Sequence, residues 1–121
     1  MRDFCFVIQP YDGGKFDQRY REILRPAIES EGLAAYRVDE DYQADVPISA
    51  IERNLSEASL VAAEITTDRP NIWFELGYAL AKSKPVILMC SDERTTPIPF
   101  DIRHRNILYY KTVPLTLRCF A

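Results

Sequence analysis

The chain has 121 residues, of which 47% are hydrophobic and 27% are charged, values that suit one small globular domain. Its formal net charge of -3 excludes the basic surface that a general nucleic-acid or anionic-membrane binder needs. The three cysteines show no C-x-x-C spacing, so neither disulfides nor a zinc site is predicted. The sequence shows no signal-peptide pattern and no apolar run long enough to span a bilayer, so we expect a cytoplasmic protein with no membrane partner.

The first third of the chain is typical of a buried strand followed by a helix. Residues 4–8 form a continuous apolar run, which is the pattern of a strand buried on both faces of a sheet. Residues 9–15 are a polar loop with two glycines. Apolar residues then recur at helical spacing from Phe16 to Ile28. We expect Pro26 to kink this helix or to end a first segment of it, and Gly32 to stop it.

The remaining elements continue the alternation of strand and helix. We predict a strand at 34–38, an acidic loop at 39–45, a helix from Ile48 to Ala58, a strand at 60–65, a helix at 72–83 and strands at 86–90 and 107–110. This order predicts an α/β domain at 1–111, a flavodoxin-like three-layer fold whose five-stranded parallel sheet has the order 2-1-3-4-5. Residues 112–121 form a tail without a clear pattern.

In such a sheet, ligands bind beyond the carboxyl ends of the strands, where the strand order reverses. Here that place lies between strands 1 and 3, and the loops 9–15, 39–45 and 66–71 should meet there. The helix after strand 3 adds one carboxylate, Glu75, within an otherwise apolar or small stretch from Ile72 to Ala81. With Asn71 as the expected N-cap, Glu75 falls in the first turn. It is therefore placed either for the helix dipole or for chemistry, and the pattern leaves both open.

Five motifs together resemble a known group of proteins. They are F-V-I-Q-P-Y, F-D-x-x-Y, R-P-A-I-E-x-E-G, P-N-I-W-F-E-L-G-Y-A-L-A-K-S-K-P-V-I-L and P-F-D-I-R. The set is similar to bacterial TIR-like domains, which are related to nucleoside 2-deoxyribosyltransferases and share the E-L-G-Y-A-L core. The resemblance implies that Glu75 is the catalytic carboxylate. One departure is Glu64, where the related pattern usually has an aspartate after the third strand.

The TIR branch of this resemblance implies cleavage of the N-glycosidic bond of NAD in a defence or signalling effector. It also implies that the loop 39–45 serves self-association and gating, in a homo-oligomer or a scaffolded assembly. NAD would be the substrate, with no separate cofactor and no metal. Two alternatives stay open: a nucleoside 2-deoxyribosyltransferase or nucleotide N-glycosidase, and a non-enzymatic TIR-type assembly or nucleotide-sensing module.

The chemistry of N-ribosyl cleavage needs a carboxylate near the anomeric carbon, because the transition state resembles an oxocarbenium ion. Nicotinamide leaves a pyridinium as a neutral molecule, so one carboxylate is sufficient for NAD. The loop Asp12-Gly13-Gly14-Lys15 either holds a pyrophosphate or forms a simple turn.

Several further residues are candidates for substrate contact, each with a structural alternative. Aromatic side chains either stack on a ring of the substrate or pack in the core, and Asp68 either binds a ribose hydroxyl or shapes its turn. The complete candidate set for substrate binding is Gln9, Tyr11, Asp12, Gly13, Lys15, Tyr20, Asp68, Asn71 and Trp73.

Overall fold

Five strands form a single parallel sheet in this computed structural model, which describes residues 3–38 and 48–112. The strands are β1 (Phe4–Ile8), β2 (Ala34–Tyr36), β3 (Leu60–Glu64), β4 (Val86–Ser91) and β5 (Ile107–Tyr110). Their spatial order is β2-β1-β3-β4-β5, and all four pairings are parallel. The predicted flavodoxin-like topology is confirmed. The loop 39–45 and most of the predicted tail lie outside the described residues.

The central position of β1 follows from its apolar run. Phe6 pairs with Tyr36 of β2 on one side and with Val61 of β3 on the other. Every side chain from Cys5 to Ile8 is buried, because helices cover both faces of this strand. The switch in strand order therefore falls at the carboxyl ends of β1 and β3, as the sequence predicts.

Two helical layers enclose the sheet. On one face, α1 (Lys15–Arg19), a π-helical turn (Tyr20–Leu24) and α2 (Arg25–Ser30) cover a cluster that includes Cys5 and Val7. On the other face, α3 (Ile48–Glu57) and α4 (Pro70–Ala81) cover the cluster that includes Phe6 and Ile8. Successive residues of β1 thus belong to opposite cores, which is the period of a strand.

A π-helical turn separates α1 from α2 just upstream of Pro26. Proline has no N–H to donate to the preceding turn, and the π-helical turn that ends at Leu24 widens the helix just before it. Gly32 follows the helix with a φ of 85°, a left-handed conformation that glycine adopts without strain. Pro26 thus lies in the first turn of a separate segment, α2, as in the alternative that the proline ends a first helical segment.

Helix α4 begins two residues earlier than the sequence predicts. Arg69 is extended, as a residue before proline should be, and Pro70 occupies the first helical position. Asn71 as the N-cap is therefore wrong, since it lies inside the first turn. The earlier start moves Glu75 into the second turn, and the first turn of α4 carries no acidic residue.

Candidate active site

Glu75 lies in the second turn of α4, toward the carboxyl end of the sheet. Tyr78, three residues further along the same side, pairs its hydroxyl with Ser56 Oγ of α3 at 3.3 Å. Because α4 starts at the loop after β3, Glu75 is one turn nearer than Tyr78 to the carboxyl ends of the strands. Glu75 therefore belongs to the same side of α4 as Tyr78, and it lies toward the end of the helix that is near the reversal of strand order.

The Glu75 carboxylate is partly buried without compensation. Within residues 3–38 and 48–112 it has no hydrogen bond and no salt bridge. Burial raises the pKa of the Glu75 carboxyl from 4.5 to about 7. A carboxylate stabilised by the helix dipole would have a lowered pKa and would lie in the first turn. The dipole interpretation of Glu75 therefore does not fit this side chain.

The loop after β1 is stabilised by hydrogen bonds from backbone N–H groups to the carboxylates of Asp12 and Asp17. Asp12 accepts hydrogen bonds from the backbone N–H groups of Gly14 at 2.9 Å and of Phe16 and Asp17 at 3.3 Å. Gly13, with a φ of 62°, donates its N–H to Asp17 at 2.9 Å. Burial alone would raise the pKa of Asp12, but the backbone N–H groups outweigh it and lower the pKa. These N–H groups are thus occupied, as in the simple turn that the sequence allowed.

A buried arginine, Arg37, contacts the rings of both candidate tyrosines. Arg37, which follows β2, pairs with Asp17 at 2.9 Å, and its guanidinium lies 4.5 Å from the ring centre of Tyr20 and 5.3 Å from that of Tyr11. Tyr20 is fully buried and belongs to the core, whereas Tyr11 is 42% exposed. Of the two, Tyr11 is therefore the one whose ring is accessible to a ligand.

Two other candidates in this region already have protein partners. The amide of Gln9 is buried and donates to the carbonyl of Phe16 at 3.2 Å, which ties the end of β1 to α1. Lys15 pairs with Glu93 at 2.9 Å, and Arg19 pairs with the same carboxylate at 2.9 Å. Burial would raise the pKa of Glu93, but these cations and Ser91 lower it to about 2.

The loop between β3 and α4 is held by Arg94, a residue that the sequence analysis did not single out. Asp68 accepts from Arg94 at 2.7 Å and from Thr96 at 2.8 Å, and these two bonds lower the pKa of Asp68. Trp73 packs against the core, and the Arg94 guanidinium lies 6.0 Å from its ring centre. Asn71 is exposed in the first turn of α4.

Glu64 is a second buried carboxylate, but unlike Glu75 it is fully partnered. At the end of β3 it accepts hydrogen bonds from the hydroxyls of Thr66 and Tyr110. Burial raises its pKa, and these bonds offset only part of that effect. Glu64, which stands where the related pattern usually has an aspartate, therefore links β3 to β5 across β4.

The described parts of the chain also lack two kinds of site. No group of three or more His, Cys, Asp or Glu side chains within them is arranged to hold a metal ion. No helix within the same residues is long and apolar enough to cross a membrane.

Comparison with known proteins identifies a shared fold. No protein-family model matches the chain, and no curated protein matches it. Among solved structures, the CMP N-glycosidase BcmB of Clostridium botulinum is similar, with a TM-score of 0.65 over 91% of this chain and 89% of that one. The two sequences are 18% identical, so the likeness establishes the fold alone.

Proposed function

We propose that this protein is an N-glycosidase that cleaves the bond between the ribose and the base of a nucleotide, with Glu75 as its catalytic carboxylate. The observation that carries the proposal is the state of Glu75: partly buried, without a hydrogen-bonding or ionic partner among the described residues, and with a pKa of about 7. Such perturbed groups concentrate at functional sites, because their cost to stability is retained only where function needs it.

The charge of Glu75 fits the chemistry of N-glycosidic cleavage. As the bond between C1′ and the base nitrogen breaks, its electron pair leaves with the base and positive charge develops on the ribose. A poorly solvated carboxylate stabilises that charge, or bonds to C1′, more strongly than a hydrated one. Water then adds its hydroxide to C1′ and displaces Glu75 where the two are bonded, while its proton goes to the base that has left with the electron pair or, after neutral nicotinamide has left, to solvent.

The position of Glu75 supports a nucleotide substrate. It lies near the carboxyl ends of β1 and β3, where α/β sheets of this order bind ligands, and the similar structure is that of an enzyme that acts on CMP. Tyr11 supplies an exposed ring near the same edge, on which a base can stack.

NAD is the second candidate substrate, and the isolation of Glu75 favours it. Cytosine must be protonated to leave well, whereas nicotinamide leaves without a proton donor. No second acid is paired with Glu75 among residues 3–38 and 48–112. In this variant of the proposal the chain acts as the TIR-like resemblance implies, in a homo-oligomer or scaffolded assembly that completes the pocket.

The experiment is an incubation of the full chain with CMP, the other nucleoside monophosphates, deoxynucleosides and NAD, at low and high protein concentration, followed by chromatography of the products. Release of a free base and ribose 5-phosphate supports the nucleotide N-glycosidase, and release of nicotinamide supports the NAD glycohydrolase. Base exchange between two nucleosides would indicate a transferase instead. If no substrate is cleaved at any concentration, the non-enzymatic binding module replaces the proposal.

A further inference from the structure

Arg94 holds together the segment that leads into α4. It follows β4, its side chain is only 5% exposed, and all five of its N–H donors have acceptors. Nε donates to Thr96 O at 2.8 Å, and one terminal nitrogen donates to Ile65 O at 2.8 Å and Thr66 O at 3.4 Å. The other donates to Asp68 at 2.7 Å and Pro97 O at 2.9 Å.

These contacts reach three parts of the molecule. Two acceptors are carbonyls of the two residues that follow β3, one is the carboxylate of Asp68 in the same loop, and two are carbonyls of the Arg94 loop itself. The guanidinium also lies beside the ring of Trp73, which belongs to α4. A planar group with five fixed donors suits this arrangement, and lysine cannot replace it.

The segment held by Arg94 sets the start of the Glu75 helix. Arg69 comes directly after Asp68, and its carbonyl accepts the first backbone bonds of α4, from Ile72 at 3.0 Å and Trp73 at 3.3 Å. Glu75 lies two residues further along the same helix. We therefore expect a shift of the loop to displace the first turns of α4 and to expose Glu75 to more water.

We propose that Arg94 is a positioning residue, whose guanidinium fixes the β3–α4 loop and thereby the place of the Glu75 carboxylate. Asp68 then acts as a partner of Arg94, and the hydrogen bond that it accepts from the Thr96 hydroxyl fixes the position of its carboxylate. The catalytic consequence rests on the proposed function, but the effect on Glu75 can be measured without any substrate.

The test compares Arg94→Lys with the matched control Arg105→Lys, since the Arg105 side chain is exposed and forms no hydrogen bond or ion pair with the described residues. The full chain is labelled with ¹³C-glutamate, and the Glu75 carboxyl signal is assigned by its loss in Glu75→Gln. We expect the pKa of Glu75 to fall by about one unit or more toward 4.5 in Arg94→Lys, because water reaches the carboxylate, and to stay unchanged in Arg105→Lys.

Activity gives the second readout. With the substrate identified by the chromatographic panel, Arg94→Lys should lower kcat by about 10-fold or more with a smaller change in KM, because displacement of a catalytic group by an ångström is costly. If folded Arg94→Lys keeps the wild-type pKa of Glu75 and the wild-type kcat, Arg94 is only structural and the proposal is overturned.

A milder variant keeps the test decisive if Arg94→Lys does not fold. Thr96→Val removes only the second bond to Asp68, and it should shift the pKa of Glu75 in the same direction by a smaller amount. A folded Thr96→Val protein without any such shift overturns the proposal. A wild-type chain without N-glycosidic activity would instead remove the proposed function, while the titration still decides the role of Arg94.

Discussion

Replacing Glu75 by glutamine should stabilise the protein while it removes the catalytic charge. Glutamine has the shape of the protonated acid, so Glu75→Gln relieves the cost of holding an ionised carboxylate away from water. The difference between a pKa of 4.5 and one of about 7 corresponds to about 3 kcal/mol at full effect. Because the side chain is only partly buried, we expect a gain of about 1–2 kcal/mol after solvent screening.

The gain should depend on pH in one direction. Below pH 4.5 the carboxyl is protonated in both the folded and the unfolded chain, so the wild type bears no cost there. Between pH 4.5 and about 7 the unfolded chain releases its proton first, and the wild type loses stability relative to Glu75→Gln. Above about pH 7 the difference in stability between Glu75→Gln and the wild type reaches its full size.

Thermal melts at pH 4 and pH 8 measure this difference. For a chain of this length, 1 kcal/mol corresponds to about 4 °C, so Glu75→Gln should melt about 4–8 °C higher than the wild type at pH 8 and about equally at pH 4. Glu57→Gln, at an exposed position of α3, is the matched control and should show neither change. A Glu75→Gln protein that is no more stable than the wild type at pH 8 would refute the reasoning.

Three further outcomes are expected from the buried polar groups. Tyr110→Phe removes a donor to buried Glu64 and should cost about 1–3 kcal/mol in urea unfolding at pH 8, with a smaller loss below pH 4.5; an equal loss at both pH values would contradict this role. Asp17→Asn weakens the 2.9 Å bond between Asp17 and the Arg37 guanidinium and should cost about 1.5–3 kcal/mol, whereas a loss below about 0.5 kcal/mol would show that this bond is not important. Burial raises the pKa of Cys5 to about 11, so a thiol reagent at pH 8 should label the peptide that contains it only after unfolding, and rapid labelling of the native chain would contradict the buried position.

The sequence was sufficient to predict the sheet because each strand carries a strong local signal. The apolar run from Phe4 to Ile8, the loop after it and the helical spacing from Phe16 onward are properties of neighbouring residues. Parallel pairing and right-handed connections then leave few topologies. Local signals were weaker at the ends of elements, and for that reason α4 was predicted to start at residue 72, two residues after its actual first residue, Pro70.

The surroundings of the candidate site could be predicted only in part. Glu75 is prominent in the sequence because it is the one charged residue in an apolar stretch, but its raised pKa depends on burial that only the fold produces. Arg94 gave no signal, since four of its five acceptors are backbone carbonyls that the fold brings together. The sequence also does not show which groups Asp12 and Lys15 bind, because the loop conformation brings Gly14 N–H to Asp12 and the fold brings Glu93 to Lys15.

The measurement that tests the central claim most directly is the rate of base release by the wild type, Glu75→Gln and Glu57→Gln at pH 8, on whichever nucleotide the wild type cleaves best. We predict that Glu75→Gln loses about 10²-fold or more of the rate while it remains folded, because the developing positive charge on the ribose loses its carboxylate, and that Glu57→Gln keeps the wild-type rate. A Glu75→Gln protein that releases the base at a near-normal rate would show that Glu75 is not the catalytic carboxylate.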